Sequence, residues 1–263
     1  MSGMRDELKE MSRGFRWGRR PLTPRSAEPF AEERDDAGFP TDWARTEAGT
    51  AARQAILNGV MHPLLRNELA LRVHGLDNLQ GVDGPVLFYS NHSSHLDATL
   101  IMTTLPDAWQ AKTAVGAARD YFFDVWWRQA FTALVYGAFP IDRSKGGRGA
   151  VDKARELIEE GWSIVVFPEG TRSLTGELLP FKNAPFGLAI AAQVPVVPIY
   201  VDGTYRILRK GGLRLRSMPI HVRIGEPIPT AGLTAHDRDG LRDRVWAAIS
   251  ELKARVDAAG PAR

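Results

Sequence analysis

The chain has 263 residues, 44% hydrophobic and 25% charged, with a formal net charge of +3. This balance is typical of a folded globular protein and excludes a chain that is disordered throughout. The absence of cysteine excludes disulfides, thiolate metal sites and a cysteine nucleophile. No apolar run has the length of a membrane-spanning helix, and no signal peptide is recognisable. We therefore expect no transmembrane helix, and a peripheral protein at the cytoplasmic face of a membrane.

The N-terminal region divides by charge. Residues 1–25 carry seven Lys or Arg against three acids, which fits a segment lying on anionic lipid or a solvated tail. Residues 27–48 carry seven acids against two arginines and predict a linker or a strap. The sequence thus predicts a basic and then acidic segment over 1–50, possessing a membrane-surface or strapping role, and a main domain over 51–263.

The rest of the chain alternates between helix-like and strand-like patterns. Helices are predicted over 51–71 with a kink or a division at Pro63, and over 96–105, 151–160 and 236–256. A further helix is predicted near 186–193, where Pro185 is expected to delay the start. Strands are predicted over 71–75, 85–90, 111–115, 163–167, 194–201 and 220–224. This alternation predicts an α/β fold: a single mixed, largely parallel central sheet flanked by helices, with an N-terminal helical or extended basic appendage.

A histidine motif follows the strand predicted over 85–90. Residues 91–97 read Asn-His-Ser-Ser-His-Leu-Asp. His92 and Asp97 would stand about 140° apart on one regular helix, so they meet only if a turn intervenes. In that geometry the carboxylate orients one ring nitrogen and the other faces a substrate. These residues alone leave two other interpretations open. The serines could cap a helix beside a structural histidine, or His92, His95 and Asp97 could form a zinc site.

Two further loops place polar groups at predicted strand exits. Residues 168–173 read Pro-Glu-Gly-Thr-Arg-Ser, in which Gly170 permits close backbone approach and Thr171 and Arg172 supply donors suited to a phosphate. No Gly-Lys-Ser/Thr follows, so this is not a nucleotide-hydrolysing P-loop. The loop ending in Arg143 places a second guanidinium at the predicted sheet edge, suited to a phosphate.

Aromatic and basic residues suggest contact with lipid. Residues 109–139 hold nine of the 23 aromatic residues. They predict either ordinary core or an acyl-chain or membrane contact, with four candidates: Phe122, Phe123, Trp126 and Trp127. Residues 206–216 contain five basic residues and no acid, which fits a solvated loop or a landing patch for anionic headgroups.

Four separated motifs together resemble one family. They are Asn-His-x-x-x-x-Asp at 91–97, the strand and loop over 137–143, Phe-Pro-Glu-Gly-Thr-Arg-Ser at 167–173 and Val-Pro-Val-Val-Pro at 194–198. In order and spacing the chain resembles the glycerolipid acyltransferases of the 1-acylglycerol-3-phosphate (lysophospholipid) type over roughly residues 70–230. The first and third motifs carry most of the specificity. One departure follows Lys182, where residues 183–185 replace the basic residue and glycine that the family often has.

The resemblance implies an enzyme of phospholipid biosynthesis. It would transfer an acyl group from acyl-CoA or acyl carrier protein to the free hydroxyl of a lysophosphatidic acid, giving phosphatidic acid without a covalent enzyme intermediate. His92 would be the general base and Asp97 its orienting carboxylate; Glu169 would organise the loop. The acceptor phosphate would be bound by four residues: Arg143, Gly170, Thr171 and Arg172.

The same resemblance implies no metal and no cofactor beyond the acyl donor, an anionic membrane surface as partner, and no nucleic acid. Three alternatives remain open. The acceptor could be glycerol 3-phosphate, another lysophospholipid or a glycolipid; the chain could be a metal-dependent hydrolase; or it could bind lipid without catalysing a reaction.

Overall fold

The computed structural model describes residues 40–118, 126–141, 148–207 and 219–258. Within these ranges seven strands form one sheet: β1 (Leu71–His74), β2 (Leu87–Ser90), β3 (Thr113–Ala118), β4 (Phe139–Ile141), β5 (Ser163–Val166), β6 (Val196–Asp202) and β7 (Ile220–Ile224). The α-helices are α1 (Glu47–Ile56), α2 (His62–Glu68), α3 (Leu96–Thr104), α4 (Asp107–Ala111), α5 (Trp126–Tyr136), α6 (Arg148–Glu159), α7 (Ala184–Ala192), α8 (Thr204–Ile207) and α9 (Arg238–Ala258).

The sheet is mixed but largely parallel. Its strand order is β1-β7-β6-β2-β5-β3-β4, and every neighbouring pair is parallel except β6 with β7. Helices flank the sheet, so the predicted fold class is confirmed. The basic segment over 1–25 lies outside the described residues.

Both faces of the sheet are covered by apolar cores. In β2, Leu87 and Tyr89 belong to the core packed by α6, α7 and α9, whereas Phe88 belongs to the core packed by α3. Burial on both faces explains why β2 and β6 appear in the sequence as continuous apolar runs rather than as alternating patterns.

The helical region before β1 is interrupted near its proline. After α1, a π-helical turn spans Leu57–Met61 and leads into α2, with Pro63 in the first turn of α2. Because Pro63 has no N–H, it cannot donate the usual bond to the carbonyl four residues earlier, and a widened turn accommodates it. The π-helical turn thus divides the helical region just before Pro63, where the sequence predicted a kink or a division.

The start of α7 differs from the sequence prediction. Pro185 was expected to delay this helix, and that expectation was wrong, because α7 begins at Ala184 with Pro185 in its first turn. The first N–H groups of a helix have no partner within it, so a proline there removes no hydrogen bond, and its fixed φ favours the helix.

Part of the acidic segment packs onto the sheet. Arg45 is the last residue of a short 3₁₀ turn (Asp42–Arg45), and its guanidinium donates to the carbonyl oxygens of Gly137 and Ala138 at 3.1 and 3.3 Å. These carbonyls lie immediately before β4. The contact ties residues 42–45 to the end of the sheet opposite the carboxyl ends of β2 and β5.

Three neighbouring strands bring their carboxyl ends to one edge. β2 lies between β5 and β6 and is parallel to both. Ser90 and Val166 end their strands at nearly the same level, and β6 continues past Ile199, the partner of Ser90, to Asp202. In open α/β sheets this edge is where ligands bind. His92 lies two residues beyond β2 on this edge.

Candidate active site

His92 and Asp97 form a hydrogen-bonded pair at this edge. Nδ1 of His92 lies 3.0 Å from Oδ2 of Asp97. Asp97 is the second residue of α3, and the turn over 93–95 brings its carboxylate back to the imidazole. The Asp97 side chain is fully buried, whereas that of His92 keeps 19% of its exposure. With Nδ1 engaged by Asp97, Nε2 is the ring nitrogen left for a substrate.

The Asp97 carboxylate is saturated with hydrogen bonds. Besides meeting His92, Oδ2 accepts the backbone N–H groups of Ser93 and Ser94 at 2.7 and 2.8 Å. Oδ1 accepts the hydroxyl of Thr204 at 2.6 Å. Two of these donors are backbone N–H groups of the turn that precedes α3, and the third is a side chain from beyond β6, so the network holds the Asp97 side chain in one orientation.

Thr204 is a member of the site that the sequence analysis missed. It is fully buried, and its Oγ1 lies 2.8 Å from the Ser93 hydroxyl as well as beside Asp97. The sequence offered only a weak indication. Thr204 is a hydroxyl residue two positions beyond β6, and no sequence pattern showed that β6 pairs with β2.

The side chain of Asn91 continues the pairing between β2 and β6. Its amide nitrogen donates to the Val201 carbonyl at 2.9 Å, and its amide oxygen accepts the Val201 N–H at 2.8 Å. Asn91 is buried, and these two bonds imitate one further rung of a strand pair. Since His92 is the next residue, the rung fixes the backbone from which the imidazole projects.

The loop after β5 is tied to His92 through Glu169 and Ser173. Oε1 of Glu169 accepts the His92 N–H at 3.2 Å, and the Ser173 N–H donates to the His92 carbonyl at 2.7 Å. The ring of Phe167 stacks on the imidazole at a centroid distance of 4.1 Å. Both backbone groups of His92 and one face of its ring therefore contact this loop.

Glu169 is itself a buried acid. Only 2% of the residue is exposed. Burial raises its pKa to about 7; the N–H groups of His92 and Leu179 lower the pKa, and the nearby charge of Asp97 raises it. Its side chain therefore lies beneath the loop surface, where it bonds to the backbone of His92.

The exposed part of the same loop carries cations. Thr171 and Arg172 are exposed, and Gly170 has a left-handed backbone with φ of +67°. A Cβ at Gly170 would lie 2.7 Å from Nζ of Lys182, so the lysine side chain crosses directly over this glycine. Lys182 is exposed, and the sequence analysis had given it no role.

His95 lies beside the pair without forming part of a metal-ligand group. Burial lowers its pKa to about 4, and the neighbouring Arg172 and His92 act in the same direction, while Asp97 opposes them. Across the four described ranges, no group of three or more His, Asp or Glu side chains could hold a metal ion. The imidazole of His95 is therefore neutral near pH 7.

Some of the remaining candidate residues lie within the described part of the chain and others lie outside it. Arg143, Phe122 and Phe123 lie outside the described residues. Trp126, at the start of α5, is 60% exposed, and Trp127 is half-buried with the Arg128 guanidinium 5.4 Å from its ring centre. None of the helices in the described part of the chain is both long and apolar enough to cross a membrane.

Two kinds of sequence comparison place these residues in a family. The Acyltransferase family model matches residues 70–202, just over half of the chain. The human 1-acyl-sn-glycerol-3-phosphate acyltransferase alpha is 36% identical over 165 residues, which cover 61% of this chain and 56% of that protein. The Cocos nucifera 1-acyl-sn-glycerol-3-phosphate acyltransferase is 36% identical over 149 residues, 55% of this chain and 46% of that protein. The chain thus spans about half the length of these curated relatives.

A solved structure shares the fold. The crystal structure of the 1-acyl-sn-glycerophosphate acyltransferase from Thermotoga maritima superposes with a TM-score of 0.59 at 24% identity, covering 82% of this chain and 83% of that one. The family match spans His92, Asp97 and the 167–173 loop, and the resemblance predicted from these motifs is confirmed. The chain belongs to the Acyltransferase family.

Proposed function

We propose that the chain transfers an acyl group from acyl-CoA or acyl carrier protein to the free hydroxyl of a lysophosphatidic acid, giving phosphatidic acid. The observation that carries this proposal is the His92–Asp97 pair, held beside a loop with exposed cations. The two curated relatives, named for acylation of 1-acyl-sn-glycerol 3-phosphate, support the choice of acceptor.

The pair is suited to general-base catalysis on the acceptor. Asp97 accepts a hydrogen bond from Nδ1–H of His92, so Nε2 carries a lone pair toward the substrate. The acceptor hydroxyl gives its proton to Nε2 as its oxygen attacks the thioester carbonyl. The C–O ester bond forms, the C–S bond breaks, and the imidazolium returns the proton to the departing thiolate. The acceptor itself is the nucleophile, so no covalent enzyme intermediate is needed.

The loop cations are suited to the acceptor phosphate. In the described part of the chain, neither Arg172 nor Lys182 forms an ion pair with a carboxylate, so both are available to an anionic ligand. The Gly170 backbone and the Thr171 hydroxyl add neutral donors, and the resemblance adds Arg143. Holding the phosphate at this loop would bring the free hydroxyl to His92, which is stacked on the same loop through Phe167.

Glu169 supports the loop rather than the ligand. Its carboxyl is buried and accepts the His92 N–H. A carboxylate in contact with a phosphate would repel it. We therefore assign Glu169 to organising the loop.

Contact with the membrane completes the proposal. Trp126 is exposed at the start of α5, and indole rings favour the boundary between headgroups and acyl chains. We propose that Trp126 and Trp127, with Phe122 and Phe123, contact the bilayer or the acyl chain, and that cationic residues meet anionic lipid at the cytoplasmic face.

A panel of acceptors tests the proposal. Thiol release from acyl-CoA and from acyl carrier protein would be measured with lysophosphatidic acid, glycerol 3-phosphate, lysophosphatidylcholine and monoacylglycerol. We expect release to require an acceptor and to be fastest with lysophosphatidic acid. Release without any acceptor would contradict acyl transfer, and equal rates with monoacylglycerol would contradict the phosphate site.

A further inference from the structure

Thr204 is fixed by the backbone that follows β6. It is fully buried and begins α8. Gly203 before it has φ of +88°, and a Cβ there would lie 2.9 Å from the Pro219 carbonyl oxygen. Only glycine adopts this conformation in so little space without strain. The turn therefore directs Thr204 back from the end of β6 toward α3.

The chemistry of the partners decides which hydroxyl donates. Asp97 as a carboxylate only accepts, so the Thr204 hydroxyl must give its single proton to Oδ1, 2.6 Å away. The 2.8 Å contact between the hydroxyls of Ser93 and Thr204 then has Ser93 as donor. The order of donors is Ser93 to Thr204 to Asp97, and it ends on the carboxylate that orients His92.

We propose that Thr204 is a positioning residue of the acyl-transfer site, acting on His92 through Asp97. Its hydroxyl fixes Oδ1, which leaves Oδ2 directed at Nδ1 of His92, and it withdraws part of the negative charge from the carboxylate. This inference rests on the proposed function, since it concerns the base in that reaction. It adds a residue 107 positions from Asp97 in sequence.

Removing the Thr204 hydroxyl should move the pH dependence of the reaction in a predictable direction. A carboxylate with one donor fewer is more basic and attracts the His92 imidazolium more strongly, so the pKa of His92 rises. Because the neutral imidazole is the active form, the acid limb of the kcat/KM profile moves to higher pH. Within the described residues, the other titratable groups beside His92 are Glu169 in the β5 loop and His95 on its own turn, with Arg172 beside His95; the substitution changes none of them.

The experiment compares Thr204→Val with Thr204→Ser and with Thr103→Val. Thr103 is a buried threonine of α3 whose hydroxyl donates to the backbone carbonyls of Thr99 and Leu100, so it serves as the matched control. For Thr204→Val we expect kcat/KM with lysophosphatidic acid to fall about tenfold, the loss of one hydrogen bond to a charged group. We also expect the acid limb to move up by about half a pH unit or more. Thr204→Ser and Thr103→Val should keep the wild-type limb.

A second readout separates this inference from the proposed function. Titration of the His92 imidazole by NMR in the full chain requires no substrate, and assignment follows from the signal lost in His92→Ala. A raised pKa in Thr204→Val alone supports the positioning role even if wild-type protein were inactive with lysophosphatidic acid. An unchanged pKa together with an unchanged acid limb would overturn it, whatever the substitution does to thermal stability.

Discussion

Two halves of the site share one edge of the sheet but differ in burial and in how many of their polar groups have a protein partner. The half after β2 is buried and complete: Asp97 accepts hydrogen bonds from three protein donors besides its contact with His92. The half after β5 is anchored by the buried carboxyl group of Glu169 but has an exposed tip. At this tip, Arg172 and Lys182 have no carboxylate partner in the described ranges. In the proposed reaction the first half would supply the general base, and the second would bind the acceptor phosphate.

The difference fits the roles proposed for the two halves. A general base gains from having its orientation fixed before the substrate arrives, because no free energy is then spent ordering it in the transition state. A phosphate-binding loop must leave its donors free, because internal ion pairs would compete with the ligand. The comparison predicts that substitutions in the first half lower kcat, whereas those at the tip of the second raise KM.

The largest expected effect is at His92. His92→Ala removes the base, and general-base help is worth about 10²- to 10⁴-fold, so kcat should fall by that factor while KM for the acceptor changes little. His74→Ala is the matched control, since His74 is exposed on β1 and lies outside the site. Steady-state kinetics of both variants would test this expectation. If His92→Ala were as active as the wild-type protein, His92 would not be the general base.

At the tip of the loop after β5, substitutions should raise KM rather than lower kcat. For Arg172→Met and Lys182→Met we expect KM for lysophosphatidic acid to rise about tenfold each, roughly 1.4 kcal/mol, with kcat largely kept. Activity with monoacylglycerol, which has no phosphate, should be unchanged by either substitution. Arg255→Met removes an exposed arginine of α9 as a charge control. Equal losses on both acceptors would show that these cations do not bind the phosphate.

A smaller effect is expected at Glu169 and concerns stability. Its pKa of about 7 lies above the ordinary value of 4.5. Between these values the folded protein holds a proton that the unfolded chain has released, so this group makes stability fall as pH rises through that window. Glu169→Gln keeps an oxygen for the His92 N–H and cannot ionise. Its Tm should therefore fall less than that of wild type from about pH 4.5 to 7; parallel Tm profiles would contradict the raised pKa.

The smallest effect is expected at the membrane. Trp126→Ala should weaken sedimentation with phosphatidylglycerol vesicles by a few-fold, roughly the loss of one exposed indole. Trp246→Ala is the control, because Trp246 is an exposed indole on α9, in the layer on the other face of the sheet. If both substitutions weaken binding equally, α5 is not the contact surface.

The sequence predicted the His92–Asp97 pair better than it predicted Thr204 and Lys182, which lie around the pair. His92 and Asp97 lie within one short stretch after an obvious strand, so their meeting required only a turn. Thr204 lies beyond β6, and its contact with Asp97 depends on β6 pairing with β2, which no local pattern reveals. Lys182 reaches Gly170 only because the loop after β5 folds back, with the Lys182 N–H bonded to the Pro168 carbonyl.

Element types were easier to predict than their ends. Apolar runs identified β2, β5 and β6 because strands buried on both faces need them. The start of α7 was mistaken because a proline has opposite effects at the first turn and in the interior of a helix, and the sequence alone did not fix which applied. The same local ambiguity does not affect His92, whose position follows from the end of β2.

The most direct test of the central claim is product identification. Purified protein would be incubated with mixed acyl-CoA and acyl carrier protein thioesters and with both lysophosphatidic acid isomers, and the lipids analysed by mass spectrometry. We predict phosphatidic acid carrying the added acyl chain, in molar balance with released thiol, and its loss in His92→Ala. Free fatty acid in place of phosphatidic acid, or undiminished product from His92→Ala, would contradict acyl transfer by His92.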